Sequence, residues 1–220
     1  MLKVREYFVV HNQPLAVFDW EKTLLHGESL DEVGKFLDIT TEIEQITRDG
    51  MDGRIDFRES IGRRVDLINQ KLVTGYDLTA ILDVVRDIPL VPHAEEVIGF
   101  LKEAGYTIGI VSGGLDMFVQ LGAERLYPNF LFSSRTEIKD GTISVYPLTD
   151  KGLVVRFLRE EYGFRKVYAF GDGANDISMM KEADVGIGYR PTPILVPHCK
   201  YVINDLMQIP ERIRDETVGH

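Results

Sequence analysis

A chain of 220 residues, 44% hydrophobic and 27% charged, has the balance of an ordinary globular protein, with length for one domain of about 150 residues and a smaller insertion. A formal net charge of -10 argues against a nucleic-acid or anionic-membrane partner and obliges any anionic substrate to find a local basic pocket. The single cysteine, Cys199, allows no internal disulfide and fits a reducing, cytoplasmic setting; no signal-peptide layout and no membrane-spanning run is read in the sequence.

In chain order, Tyr7-Phe8-Val9-Val10 predicts an extra edge strand, broken by Asn12-Gln13-Pro14. Leu15-Ala16-Val17-Phe18 is a short apolar run that ends in Asp19 and Glu21, with Thr23 just beyond. A buried strand looks like this when it delivers carboxylates to the end of a sheet, where open α/β sheets bind their ligands. From about residue 26 to 88 strand-like alternation disappears. Ser29 and Glu32 have the spacing of a capping box ahead of Leu30, Val33 and Leu37, and Thr41 and Glu44 repeat the signal. Gly50-Met51-Asp52-Gly53 predicts a loop. Phe57, Ile61, Val65 and Ile68 predict one helical face, and Asp77 caps a helix carrying Leu78, Ile81, Leu82 and Val85. These segments predict a small helical bundle inserted after the first strand. Ile88-Pro89-Leu90-Val91-Pro92 is the return linker, since proline rarely continues a helix.

Helix and strand then alternate. Val97, Ile98 and Leu101 predict a helix stopped by Gly105, followed by a strand over 106–111 that ends in Ser112-Gly113-Gly114. A helix is expected over 115–126 and a strand at Phe130-Leu131-Phe132. Lys139-Asp140-Gly141-Thr142 is a hairpin turn signal. Residues 152–162 predict a helix capped by Gly163. A strand over 167–170 enters Gly171-Asp172-Gly173-Ala174-Asn175-Asp176, a helix runs through Met180, and short strands follow at 185–187 and 201–203. Alternating strands and helices argue for a parallel, doubly wound sheet.

Four element ends carry distinctive chemistry: Asp19 and Glu21, Ser112, Lys151, and Asp172 with Asp176. Carboxylates without nearby His or Cys suit a hard cation with oxygen ligands, such as magnesium. A carboxylate beside that ion can attack phosphorus and form an aspartyl-phosphate, while the ion and Lys151 neutralise phosphoryl oxygens. Ser112 and the amides of Gly113 and Gly114 can donate to them, and Glu21 can act as general acid and then base. The five histidines show no ligand spacing.

Four pieces in order, Asp19-Trp20-Glu21-Lys22-Thr23, Val111-Ser112-Gly113-Gly114, Lys151 and Gly171-Asp172-Gly173-Ala174-Asn175-Asp176, with a helical insert after the first, resemble the haloacid-dehalogenase superfamily, specifically its phosphoserine phosphatase branch. The resemblance implies a Rossmann-like core over 1–25 and 89–220 and a helical cap over 26–88. It implies that Asp19 is the nucleophile and a magnesium ligand, and that Glu21 is the acid/base with its backbone carbonyl on the metal. Ser112 and Gly113 would hold the phosphate. Lys151 would stabilise the phospho-aspartate and pair with Asp172, the third protein ligand. Asn175 would orient the phosphate, and Asp176 would support the metal's water shell. In the insert, Glu28, Met51, Phe57 and Arg64 stand where this family grips phosphoserine: Arg64 on the carboxylate, Glu28 on the ammonium, Met51 and Phe57 excluding water. Glu21 departs from the family's Asp and moves the acid/base carboxyl outward by roughly 1.5 Å, where misplacement by about 1 Å can cost on the order of 100-fold.

The expectation is therefore a magnesium-dependent phosphomonoester hydrolase acting on phosphoserine, a monomer or homodimer without nucleic-acid or membrane partners. Phosphotransfer to another small hydroxyl such as homoserine, hydrolysis of another small phosphate ester, and a non-catalytic sensor are the alternatives. Two linkers, near Leu25-His26-Gly27 and over 88–92, imply a cap that opens and closes.

Overall fold

The computed structural model describes residues 13–51 and 54–218, so the edge strand expected at Tyr7-Phe8-Val9-Val10 lies outside the described residues. Six strands, β1 (Leu15–Phe18), β2 (Thr107–Leu115), β3 (Phe130–Ser134), β6 (Val167–Gly171), β7 (Val185–Tyr189) and β8 (Tyr201–Ile203), form one sheet in the order β3-β2-β1-β6-β7-β8. All five pairings are parallel. The strands β4 (Thr136–Lys139) and β5 (Thr142–Val145) pair antiparallel around the expected Asp140-Gly141 turn, where both residues have positive φ.

Strand β1 lies at the centre and is buried along its whole length. Its side chains alternate between the two faces of the sheet. Leu15 and Val17 join one apolar cluster with Val155, Leu158 and Phe164; Ala16 and Phe18 join the other. Phe18 stacks on Phe170 of β6 at 4.2 Å between ring centroids, which fixes these two strands side by side. Each fully buried large aliphatic or aromatic side chain contributes about 1.5–3 kcal/mol, so the strand that carries Asp19 is among the most firmly held in the molecule.

The helical segment expected between the first two strands is present. It comprises α1 (Ser29–Phe36), α2 (Thr40–Met51), α3 (Phe57–Val73) and α4 (Leu78–Arg86). Helix α1 packs on α2 and α4, and α2 packs on α3. The apolar faces of α3 and α4, Ile61, Val65, Ile68, Ile81 and Val85, are buried. The N-caps expected at Asp77 and found at Asp56 are made, accepting from Thr79 N at 2.9 Å and Glu59 N at 2.8 Å. Two expectations shift. The loop expected from Gly50 begins later, because α2 runs through Met51. The Ser29–Glu32 capping box is absent: Glu28 is the N-cap, Ser29 is the first helical residue, and its hydroxyl has no hydrogen-bond partner among the described residues.

Two linkers join this insert to the sheet, and they run side by side. His26 N donates to Pro89 O and Val91 N to Leu24 O, both at 2.9 Å, flanking an antiparallel bridge between Leu25 and Leu90. The insert reaches the rest of the chain again through α4 against α6 (Asp116–Ala123) and α3 against β5. There the Asn69 side-chain amide exchanges two hydrogen bonds with the backbone of Ile143, at 2.8 and 2.7 Å.

The remaining helices flank the sheet: α5 (Ala94–Glu103), α7 (Lys151–Tyr162), α8 (Ile177–Glu182) and α9 (Ile209–Val218). Asp150 caps α7 and Gly163 ends it. No helix among the described residues is long and apolar enough to cross a membrane.

Candidate active site

The C-terminal ends of β1, β2 and β6 meet at one place. Residues Phe18 and Phe170 are in register, and Asp19 N donates to Phe170 O at 2.8 Å, so Asp19 leaves β1 beside the start of the Gly171–Asp176 turn. One carboxylate oxygen each from Asp19, Asp172 and Asp176 lies within 4.8 Å of the others. Lys151, the first residue of α7, reaches into this group and donates to Asp19 at 2.5 Å and to Asp176 at 2.6 Å. Asp19, Lys151 and Asp176 are all buried. The expected partner of Lys151 was Asp172; its second partner is instead Asp176.

Asp176 does more than the expected support of a water shell. Its Oδ2 accepts from the backbone N–H groups of Asp172 and Gly173, at 2.9 and 3.0 Å, while its Oδ1 takes Lys151. One carboxylate thus shapes the turn, holds the lysine and completes the acidic trio. Gly171 makes this possible: a Cβ there would stand 2.4 Å from Asp176 Oδ2, inside any real contact.

Electrostatics follow from three carboxylates and one lysine in a dry site. Burial and the neighbouring Asp176 hold the Asp19 carboxyl well above its ordinary range, against the pull of Lys151. Burial and Asp176 push Asp172 up to about 6. Lys151 is held above the usual lysine range because Asp176 and Asp19 outweigh its burial. The cluster therefore carries more negative charge than its lysine balances. Its donor set is oxygen alone, which is what a hard divalent cation takes. The residues present fit such an ion, with Asp19, Asp172 and Asp176 as the side chains able to hold it. The Glu21 carboxyl is not in the trio.

Strand β2 contributes the neighbouring wall. It continues through Ser112-Gly113-Gly114 to Leu115, past the end expected at Val111, and its pairing with β3 shifts register between Val111 and Leu115. Past that irregularity Gly113 lines one cavity with Lys151 and Asn175. Ser112 Oγ accepts from Gly114 N at 3.0 Å. Sequence reading overlooked Ser134, a buried hydroxyl at the end of β3. It donates to Gly113 O at 2.8 Å and accepts from Thr149 N at 3.1 Å, tying the Gly113 peptide to the turn before α7. A polar residue closing an apolar strand was the available signal.

The insert closes over this wall. The Phe57 ring rests on Gly113 so closely that a Cβ at Gly113 would lie 2.5 Å from Phe57 Cζ. Phe57 was expected on the buried face of its helix, yet it is 38% exposed. With Asp56 and Arg58 it forms one side of a cavity of about 380 Å³ whose other side is Gly113, Leu148, Lys151, Asn175 and Ser178. Phe57, Gly113, Lys151 and Asn175 were all expected in the site, and this cavity brings them together.

Glu21 and Glu28 stand at the junction of insert and core. Glu21 Oε1 accepts from Ser29 N at 2.9 Å, at the N-terminus of α1. Burial and the charge of Glu28 raise its carboxyl, with the Ser29 amide acting the other way. Glu28 accepts from Lys22 on Oε1 and from Arg64 Nη1 on Oε2, the latter at 3.0 Å. Burial alone would raise the Glu28 carboxyl, but Lys22 and Arg64 hold it below its ordinary range. Arg64 is 5% exposed, which sets this pair apart from a surface ion pair. Lys22 was not expected in the site. Met51 ends α2, and its side chain lies outside the described residues.

Comparison with known proteins adds four findings. Residues 14–184 match the model of the haloacid dehalogenase-like hydrolases. The phosphoserine phosphatase of Methanocaldococcus jannaschii is 32% identical over 189 residues, covering 82% of this chain and 87% of that enzyme. A phosphoserine phosphatase of Mycobacterium tuberculosis is 34% identical over 189 residues, but this chain spans only 45% of its length. Among solved structures, a phospho-aspartyl intermediate analogue of phosphoserine phosphatase superposes with a TM-score of 0.80 at 31% identity, covering 92% of this chain and 99% of that one.

Proposed function

The chain belongs to the haloacid dehalogenase-like hydrolases, in their phosphoserine phosphatase branch, and from that premise we propose that it hydrolyses phosphoserine with magnesium, through a phosphoryl group carried on Asp19. The observation that carries the reading is the buried trio Asp19, Asp172 and Asp176 cross-linked by Lys151. A hydrolase named for phosphoserine is similar to nearly the whole chain, and its intermediate analogue is a phospho-aspartate.

Asp19, Asp172 and Asp176 would hold magnesium, which would supply positive charge to the phosphoryl group. Asp19 attacks phosphorus in line with the serine oxygen, and the P–O bond to serine breaks as the P–O bond to Asp19 forms. Glu21 gives its proton to the departing serine oxygen; its raised carboxyl suits it to carry one. Glu21 then takes a proton from water as that water attacks the aspartyl-phosphate, releasing inorganic phosphate and restoring Asp19. Lys151 neutralises the charge that grows on the phosphoryl oxygens, and the amides around Ser112 and Gly113, with Asn175, orient them. The hydrogen bond from Ser29 N anchors the longer Glu21 side chain by one oxygen, which offsets the extra reach of Glu over Asp.

We also take residues 26–88 as a cap. The paired backbone linkers at 24–26 and 89–91 are where it would hinge, carrying Phe57 off Gly113 to admit substrate. A panel of phosphate esters assayed with magnesium tests the function. Phosphoserine should be hydrolysed with a kcat/KM well above sugar phosphates and nucleotides; a sugar phosphate preferred by a wide margin overturns the substrate.

A further inference from the structure

We propose that Lys22 determines specificity: its ammonium stands in the position a substrate amine would take on Glu28, so the site accepts carboxylate-bearing phosphomonoesters without requiring an ammonium. The proposal rests on the reading of Glu28 and Arg64 as substrate-facing groups.

Lys22 lies three residues past Asp19, in the loop between the strand that carries the nucleophile and the insert. Its φ is +61°, in the left-handed region that side chains other than Asn and Asp seldom occupy. The loop imposes that conformation, since Lys22 N donates to Gly27 O at 3.1 Å while Leu24 N and Leu25 N both donate to Trp20 O. Trp20 is in turn 1% exposed and packed against Gly122. The strained residue therefore points its side chain across the junction, where Nζ meets Glu28 Oε1. Its positive charge also pulls the Asp172 carboxyl downward, against that group's burial. Lys22 thus stands in the loop between the strand that carries Asp19 and the insert, with its charge felt on both sides of that loop.

Charge counting shows what this does. Lys22 and Arg64 are positive; Glu28 and Asp31 are negative, with Asp31 Oδ1 4.0 Å from Arg64 Nη1. These four charges balance one another, with the Glu21 carboxyl beside Glu28 and Arg64 as a further acid. Without Lys22 the four would carry one net negative charge, which a substrate ammonium would offset. With Lys22 in place each Glu28 oxygen already faces a cation, and an incoming ammonium meets Lys22 as a like charge. An incoming carboxylate meets two cations instead, with Arg64 held in place by Glu28 on Nη1 and by Ser60 O on Nε at 3.3 Å. An internal cation thus replaces part of the recognition that an amino-acid substrate would otherwise supply, and specificity shifts by repulsion as much as attraction.

The test is direct binding of two non-hydrolysable phosphonates with magnesium, followed by calorimetry. L-2-Amino-4-phosphonobutanoate copies phosphoserine with a methylene in place of the ester oxygen; 4-phosphonobutanoate is the same molecule without the amine. The wild-type protein should bind both within about threefold of each other, and Lys22→Met should shift the ratio toward the amino compound by about tenfold, the scale of one charge contact in a partly buried site. Lys22→Arg, which keeps the charge, should retain the wild-type ratio, and matching thermal midpoints confirm that both variants fold. An unchanged ratio in Lys22→Met overturns the proposal. So does a wild type that already prefers the amino compound tenfold, or one that fails to bind 4-phosphonobutanoate. Because no turnover is needed, these outcomes are separate from the ester panel: a wild type that releases no phosphate from phosphoserine, yet shows the tenfold shift on losing Lys22, refutes the substrate and leaves the role of Lys22 standing.

Discussion

Two lysines define two different regions of the site. At the strand ends, Lys151 is 2% exposed and locked between the carboxylates of Asp19 and Asp176. At the junction with the insert, Lys22 is 41% exposed and pairs with the more buried Glu28. In the first region Asp19, Lys151 and Asp176 are buried, Asp172 is half-buried, and every partner is fixed by a strand end, a helix start or a turn amide. Breaking a buried pair leaves an uncompensated charge and costs about 3–5 kcal/mol, whereas an exposed pair contributes about 0–1 kcal/mol. The comparison teaches that this fold holds its chemistry rigid and leaves its recognition adjustable. Charges at the strand ends cannot be exchanged without damage to the fold, and those at the junction can.

The largest effect should come from the strand ends. Asp19→Asn should lower phosphate release on the order of 10⁴-fold or more, because an amide cannot take up the phosphoryl group. Activity within tenfold of wild type would refute Asp19 as nucleophile. Next, Asp176→Ala should cost about 3–5 kcal/mol of stability in urea unfolding, because it takes one of the two partners of Lys151 and the partner of two backbone amides at once. A loss under about 1 kcal/mol would mean that the turn keeps its shape without this clamp.

Arg64→Ala sharpens the contrast, Arg64 being the one buried charge among the described residues of the insert. It should raise KM for phosphoserine by about 10- to 100-fold with a smaller change in kcat, as expected when a binding contact is lost without disturbing the reacting atoms. A fall in kcat with KM unchanged would place Arg64 in the chemistry. A pH experiment separates the regions in another way. Asp172 is pushed up to about 6 from an ordinary 3.8 by burial and by Asp176. The folded, metal-free protein therefore binds more protons there than the unfolded chain, and this group's contribution to stability is lost as pH rises through the folded value. Magnesium competes with those protons, so the thermal stabilisation it gives should be small near about pH 5 and larger near about pH 7.5. An equal shift at both pH values would contradict a carboxylate site for the ion. The smallest effect belongs to the junction: Lys22→Met should change stability by less than about 1 kcal/mol.

Much of this was legible in the chain. The central strand could be read because Leu15-Ala16-Val17-Phe18 is a short unbroken apolar run ending in acid, as a strand covered on both faces requires. The hairpin at Asp140-Gly141 and the end of α7 at Gly163 could be read because positive φ restricts residue choice. Asp19, Lys151, Asp172 and Asp176 could be picked out because each stands at or just past an element end, although the turn that Asp176 clamps was not read. What stayed hidden depends on partners distant in sequence. Ser29 has a capping signal, but Glu21 takes its amide and Glu28 becomes the cap. Phe57 was expected in the site, but the seat that its ring takes on Gly113, across the cleft, needed the fold. Lys22 reads as a solvated loop lysine until the left-handed backbone at that position turns it toward Glu28. Ser134 needed the register shift in β2 before its reach to Gly113 could be seen.

The most direct measurement is to mix enzyme with phosphoserine and magnesium, quench in acid within a single turnover, and map the phosphoryl group by mass spectrometry of the peptides. The account predicts a phosphoryl-sized mass increase on the peptide containing Asp19, absent from Asp19→Asn and gone after complete turnover. Serine released at full rate with that peptide unmodified throughout, or the label on any other side chain, would contradict it.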